Sequence, residues 1–168
     1  MKKLYPVLIA GFSAGVFEIV PMAKSLSCCL ILPVAVLFSL YLEMKSTNRQ
    51  EAFSISIGLR FGLLTGIFAA LFGITFETFV TLITKTNDLV SSFPQMQQML
   101  QSFPVDELTR KEVIAMLENV AEQIKQSGFS PLYTFAMLIN TLIVNSIFGL
   151  IGGLIGVKIL NNKYYGAE

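Results

Sequence analysis

The amino-acid sequence predicts an all-α membrane protein, a bundle of four transmembrane helices with an amphipathic two-helix loop between the third and fourth spans. Three observations predict it. Of the 168 residues, 54% are hydrophobic and only 14% charged, where a soluble domain carries about 25% charged residues. A core of this size cannot bury so much apolar surface, and lipid is the solvent that tolerates the excess. The apolar residues fall into four runs near spanning length, about 20 residues. Glycines recur at spacings of four inside three of those runs.

The first run covers 4–20 and is closed by Pro21. Its Met-Lys-Lys start resembles a secretory signal, but no small-x-small cleavage site follows and a second apolar run comes at once, so it reads as a retained helix. The short link through Lys24 forces the second span, 25–42, to return antiparallel. Pro33 within it predicts a kink. A polar link, 43–51, precedes the third span, 56–84, which is long enough to tilt or project from the hydrocarbon. The fourth span, 132–160, follows Ser130-Pro131, which reads as an N-cap and first-turn proline.

The intervening stretch, about 86–130, is extramembrane and different in character. Thr109 and Glu112 have the spacing of a capping box. Val113, Leu117, Val120 and Ile124 then repeat at helical spacing, and Gly128 stands where a helix would end. Two amphipathic helices are predicted, too weakly apolar to anchor in a membrane alone.

Charge placement gives orientation. With the amino terminus in the cytoplasm, Lys2, Lys3, Lys45, Arg49, Lys158 and Lys163 lie inside. Lys24, Lys85 and Lys125 then mark the outside ends. The inside excess predicts both termini cytoplasmic. Tyr5, Tyr41, Tyr133, Tyr164 and Tyr165 all fall at predicted span ends, where a ring with a polar tip prefers to sit.

Several chemistries are excluded. With no histidine, a Ser-His-Asp triad or a histidine-ligated metal is impossible. Cys28 and Cys29 are adjacent, a poor geometry for a mutual disulfide and too few thiolates for a metal site; they read as small packing residues, with a lipid-modified or redox-active pair as the alternative. A net charge of +1 offers no field for nucleic acid. No phosphate loop is present, and the Gly-Gly between Leu150 and Gly156 lies inside a span. No cofactor is expected.

Two constellations remain. Gly11 and Gly15 in the first span, Gly58, Gly62 and Gly66 in the third, and Gly149, Gly152, Gly153 and Gly156 in the fourth predict close helix packing, within a tight bundle or a homo-oligomer. Glu18 and Glu77 lie in the same leaflet near the outer ends of spans one and three. Intramembrane carboxylates are costly, and a pair could share a proton or hold a cation; the alternative is that Glu18 reaches the interface while Glu77 pairs with Lys24 or Lys85 or faces the amphipathic loop. Asn140 and Asn145 suit interhelical hydrogen bonds, and Arg60 is expected to snorkel or to pair with Glu43 or Glu51.

The layout resembles a family of small bacterial inner-membrane proteins of unknown function, best represented among Bacteroidetes. The resemblance is carried by the hairpin ending in Leu40, Tyr41 and Leu42, the link 45–51, the glycine-rich stretch 57–72, the loop helices with glutamate-rich ends, and 151–158 before a short basic tail. It implies a four-span fold in a bacterial inner membrane and no catalytic residues. The reading is of a non-enzymatic membrane component, an accessory subunit of a larger membrane complex or a self-associating bundle. The alternative is a small ion channel or transporter using Glu18 and Glu77, with an intramembrane enzyme a distant third.

Overall fold

The computed structural model describes residues 4–20 and 27–166. Every regular element in them is helical: α1 (Tyr5–Phe17), a π-helical turn (Ser27–Ile31), α2 (Leu32–Ser46), α3 (Ile55–Thr84), α4 (Asp88–Ser102), α5 (Glu107–Ser127) and α6 (Pro131–Tyr165). Three stretches are long and apolar enough to cross a membrane, Cys29–Ser46, Ile55–Thr84 and Pro131–Tyr165. The first predicted span is shorter than its apolar run. Its 13 residues extend roughly 20 Å, against a hydrocarbon core of about 30 Å. Beyond Phe17 the chain tightens, with Ile19 N–H donating to Val16 C=O and Val20 N–H to Phe17 C=O, both three residues back.

The chain divides into two compact units. The first comprises 1–76 and 137–168, the second 77–136. In the first unit α1 and α2 form the antiparallel hairpin that the short link demands, with Ala10, Ala14, Leu32 and Ala35 buried against Ala69 of α3. A second cluster, Val36, Leu40, Met44, Phe53, Val157 and Leu160, joins α2 to α6. Small side chains dominate the first cluster because the helices approach too closely for larger ones. Pro33 causes no mid-helix break. It follows closely on the π-helical turn Ser27–Ile31, which runs into α2 without a gap, so the helix is irregular just before the proline.

The polar link is pinned. Asn161 on α6 accepts from Phe53 N–H at 2.8 Å and donates to Phe53 C=O at 2.9 Å. Tyr165 donates its hydroxyl to Arg49 C=O at 2.9 Å. One side-chain amide thus satisfies both backbone groups of a buried residue, which water would otherwise have to reach.

In the second unit α4 and α5 pack on one another as a helical pair. Asn87 caps α4, its side-chain oxygen accepting from Val90 N–H at 3.0 Å. The start of α5 lies three residues ahead of the predicted Thr109 cap. Asp106 is the N-cap, and its carboxylate accepts from Thr109 N–H at 2.9 Å. Aspartate at that position comes first in the chain and brings charge to the positive helix end, which the capping-box pattern at Thr109 and Glu112 does not outweigh. Gly128 ends α5 in the left-handed region, φ 75°. An added Cβ there would lie 2.7 Å from the Leu82 Cα of α3, so the turn needs glycine for both conformation and space. Ser130 precedes α6 as expected, but its buried hydroxyl oxygen makes no hydrogen bond, so it caps nothing with its side chain.

Asp106 gives a prediction. The Thr109 N–H bond holds its carboxyl below the ordinary value of 3.8. The depressed value means a stabilising contribution that is complete above pH 3.8 and is lost as pH falls through the native value. Hydrogen exchange in the first turn of α5 should therefore accelerate below pH 3.8, beyond its intrinsic pH dependence. Asp106→Asn, which still caps but does not titrate there, should show no such acid step; an acid step equal to that of the parent would remove Asp106 as its source.

Candidate functional site: the glycine seam and the membrane carboxylates

Gly58, Gly62 and Gly66 fall on one stripe of α3 because residues four apart share a helix face. Opposite them on α6 are Gly153, Gly149 and Asn145, in antiparallel register. A Cβ built on Gly58 would strike the Gly153 carbonyl oxygen, one on Gly62 that of Gly149, and one on Gly66 that of Asn145. The reverse also holds, with Gly149 against the Gly62 carbonyl and Gly153 against that of Gly58. The backbones of α3 and α6 therefore touch along two helical turns. Such contact supplies the dispersion and weak Cα–H···O interactions that hold helices together in lipid.

The remaining glycines serve other helix pairs. A Cβ on Gly11 would lie 2.6 Å from Phe68 Cβ, and one on Gly15 2.9 Å from Gly73 N, so α1 runs parallel to α3 on a second close-packed face. Phe12 borders it, edge-on to Phe72 at 5.3 Å and Phe76 at 5.6 Å. A Cβ on Gly152 would lie 2.7 Å from Pro33 Cα and one on Gly156 3.0 Å from Leu40 Cδ1, so α6 is seated along α2. All nine glycines singled out in the sequence thus face a helix of the same chain.

Glu18 caps the C-terminal end of α1, its N–H donating to Ala14 C=O. Its carboxylate accepts from Asn145 Nδ2 at 2.7 Å. The other carboxylate oxygen rests against Gly73, where an added Cβ would collide with it. Gly73 lies 11 residues before the end of α3, roughly 16 Å at about 1.5 Å per residue. The group is thus deeper along α3 than its place at the end of the first apolar run suggests. Asn145 is 1% exposed. Its carboxamide links α6 to α1 directly above the glycine seam. The sequence gives no sign of Gly73, because its nearest glycine in α3, Gly66, is seven residues away and outside the four-residue pattern.

Glu77 belongs to the second unit. It accepts a hydrogen bond from the Tyr133 hydroxyl at 3.2 Å, joining the last turns of α3 to the first turns of α6. Each carboxylate therefore has its own partner: an amide for Glu18, a phenol for Glu77. Lys24, whose place near the outer ends of the spans makes it a possible partner for Glu77, lies outside the described residues. Tyr133→Phe is expected to cost about 0.5–1.5 kcal/mol, the net worth of an ordinary hydrogen bond. Glu77→Gln, whose amide oxygen still accepts, should cost less in thermal unfolding. A larger cost for Glu77→Gln would mean that the ionised carboxylate holds a cation as well as the phenol.

Other polar groups are buried in the first unit. Thr65, fully buried, donates to Ser39 Oγ at 3.4 Å, and Ser39 donates to Val36 C=O at 2.8 Å. Glu43 is 7% exposed, and its Oε2 has no hydrogen-bond partner. Arg60 is exposed, and among the described residues no ion pair joins it to Glu43 or Glu51. Cys29 is a free, exposed thiol, and the side chain of Cys28 lies outside the described residues. Among the described residues no group of three or more acidic or cysteine side chains could hold a metal ion.

No family model matches the chain, and neither a curated protein nor a solved structure is significantly similar to it.

Proposed function

We propose that the protein is a non-enzymatic accessory subunit of a larger membrane complex, held by four transmembrane helices in a bacterial inner membrane with both termini in the cytoplasm. The observation that carries this reading is the surface of the α4–α5 pair. Helix α4 buries none of its side chains, although Met99, Phe103, Val105, Leu108 and Met116 stand exposed on or between the two helices. Apolar groups that protrude from an otherwise polar pair are characteristic of a covered surface. The glycine faces argue the same way. Each is used within the chain, so none is left to bring a second copy into close backbone contact. Counting α1 as a span relies on the turn through Val20 to extend it towards the far headgroups. The resemblance to small inner-membrane proteins and the inside excess of lysine and arginine support the compartment and orientation.

Photo-crosslinking residues at Met99 and Leu108, introduced in cells, test the reading. A single adduct with one larger membrane protein, in the same stoichiometry after mild-detergent purification, is expected. A ladder of adducts between copies of this chain would overturn it in favour of a self-associating bundle. Orientation is tested separately: with Cys28 and Cys29 replaced, a cysteine at Ser102 should react with an impermeant thiol reagent in intact cells and one at Ser46 should not. The opposite labelling would invert the topology.

A further inference from the structure

The end of the first unit that holds the chain positions near Tyr5, Glu43, Arg60 and Tyr165 carries a buried acid, Glu43, one of whose carboxylate oxygens has no hydrogen bond among the described residues. Glu43 sits in the last turn of α2, and its Oε2 is sealed from solvent with no hydrogen bond. An acid oxygen buried without a hydrogen bond is costly for a fold to hold, so a donor brought to Glu43 would stabilise it. Two cavities flank it on either side of the start of α1. One, about 380 Å³, is lined by Tyr5, Pro6, Ile9, Leu42, Ser46 and Thr47. The other, about 290 Å³, has an apolar wall of Leu4, Val7, Ile57, Phe61 and Leu64, with Arg49 and Arg60 beside Glu43.

The chemistry of this lining selects its occupant. Each cavity far exceeds the space of a single water, about 30 Å³, and both are largely apolar. A bare metal ion is a poor fit, because hard cations need six or more oxygens and two guanidiniums repel one. Arg49 spends two donors on Glu51 C=O and Ala52 C=O and lies over the Phe53 ring, 4.8 Å from its centroid, and among the described residues Arg60 has no ion pair. Guanidinium groups are the usual partners of a phosphate. A ligand with an ammonium for Glu43, a phosphate for the arginines and an apolar tail for the cavities is an aminophospholipid.

The depth agrees. Tyr41 and Tyr164 lie 6.4 Å apart here, with Lys45 and Lys163 over their rings. Such tyrosines and lysines mark the headgroup level of a bilayer. We propose that this end of the first unit is a selective site for an ethanolamine phospholipid, its ammonium on Glu43, its phosphate on Arg60 and Arg49, and an acyl chain along α1. The proposal rests on the membrane reading but not on the accessory-subunit role, which the crosslinks test separately.

Native mass spectrometry of the full chain in detergent, with equimolar phosphatidylethanolamine, phosphatidylcholine and phosphatidylglycerol of matched acyl chains, tests it. Phosphatidylethanolamine should bind about tenfold more tightly than either competitor, since one charge-assisted hydrogen bond accounts for a factor of that order. Choline carries no N–H to donate, and glycerol carries no positive charge. Glu43→Gln, near isosteric, should erase the preference, while Arg60→Gln, at an exposed position, should weaken all three lipids. Soluble phosphoethanolamine should compete only weakly; competition as effective as that of the lipid would make the occupant a small soluble molecule and overturn the lipid site. Equal binding of the three lipids by the parent, or an ethanolamine preference retained by Glu43→Gln, would also overturn it. So would a loss of stability in a Lys2→Gln/Lys3→Gln variant together with absent lipid selectivity, which would assign Glu43 to the chain's own lysines.

Discussion

Gly62→Leu is expected to yield no folded protein in detergent, and Gly62→Ala to cost about 1–3 kcal/mol, the range for overpacking a tight interior. The reason is geometric. The Cβ that alanine adds would occupy the position of the Gly149 carbonyl oxygen, and a backbone carbonyl in a helix cannot move aside alone. The α3–α6 pair would have to separate along the whole seam, losing contacts at Gly58 and Gly66 as well. Gly153→Leu should behave alike. The control is Ile147→Leu on α6, where the side chain is 52% exposed and the change should be near neutral. Thermal unfolding monitored by circular dichroism measures all four variants. Equal midpoints for Gly62→Leu and Ile147→Leu would mean that the two helices do not meet at their glycines. Because Gly62 and Gly149 share one contact, substitutions at both should cost less than their separate costs added.

Asn145→Leu should be the most damaging polar substitution in the first unit. It removes the 2.7 Å bond to Glu18 and leaves the carboxylate against Gly73 without that donor. A hydrogen bond to a charged group contributes about 1.5–3 kcal/mol. Interhelical bonds in lipid reach only about 1.7 kcal/mol, since the unfolded helices find other partners. The lower figure governs here, because Glu18 is only half-buried. Glu18→Gln preserves an acceptor and should cost much less than Asn145→Leu. In a double-mutant cycle of Glu18→Leu with Asn145→Leu, a coupling of about 1 kcal/mol or more is expected. Zero coupling would show that the two side chains do not act on one another.

Long apolar helices were legible because length and composition are local properties. The third span was expected at 56–84 and the helix runs Ile55–Thr84; the fourth was expected at 132–160 and runs Pro131–Tyr165. The glycine spacing was equally legible as a packing signal, but spacing is a property of one helix and a seam belongs to two. Nothing in the positions of Gly58, Gly62 and Gly66 says that they meet α6 while Gly11 and Gly15 meet another part of α3. The end of α1 was misplaced for a related reason. Hydropathy continues through Val20, but the regular helix stops at Phe17 and Glu18 turns its carboxylate to Asn145. Glu43 was hidden by its neighbours: it opens a polar link, where a glutamate is expected to be solvated, and only the packing of α1 over α2 seals it.

The clasp between Asn161 and Phe53 bears on how the protein is made. Residue 161 leaves the ribosome after 53 by most of the length of the chain. Until it does, both backbone groups of Phe53 lack the amide that later satisfies them, and the glycine face of α3 has no α6 to receive it. The amino-terminal hairpin and α3 must therefore wait, with one close-packed face open, while α4 and α5 are synthesised. Contacts so distant in sequence form late, and partly built chains are the ones open to mispairing and capture. Release of a nascent chain stalled before residue 161 should leave it far more sensitive to membrane proteolysis than one stalled after Tyr165. In this protein the close-packed face of α3 is filled only when α6 arrives, so the packing of the earlier helices waits on the chain through Tyr165.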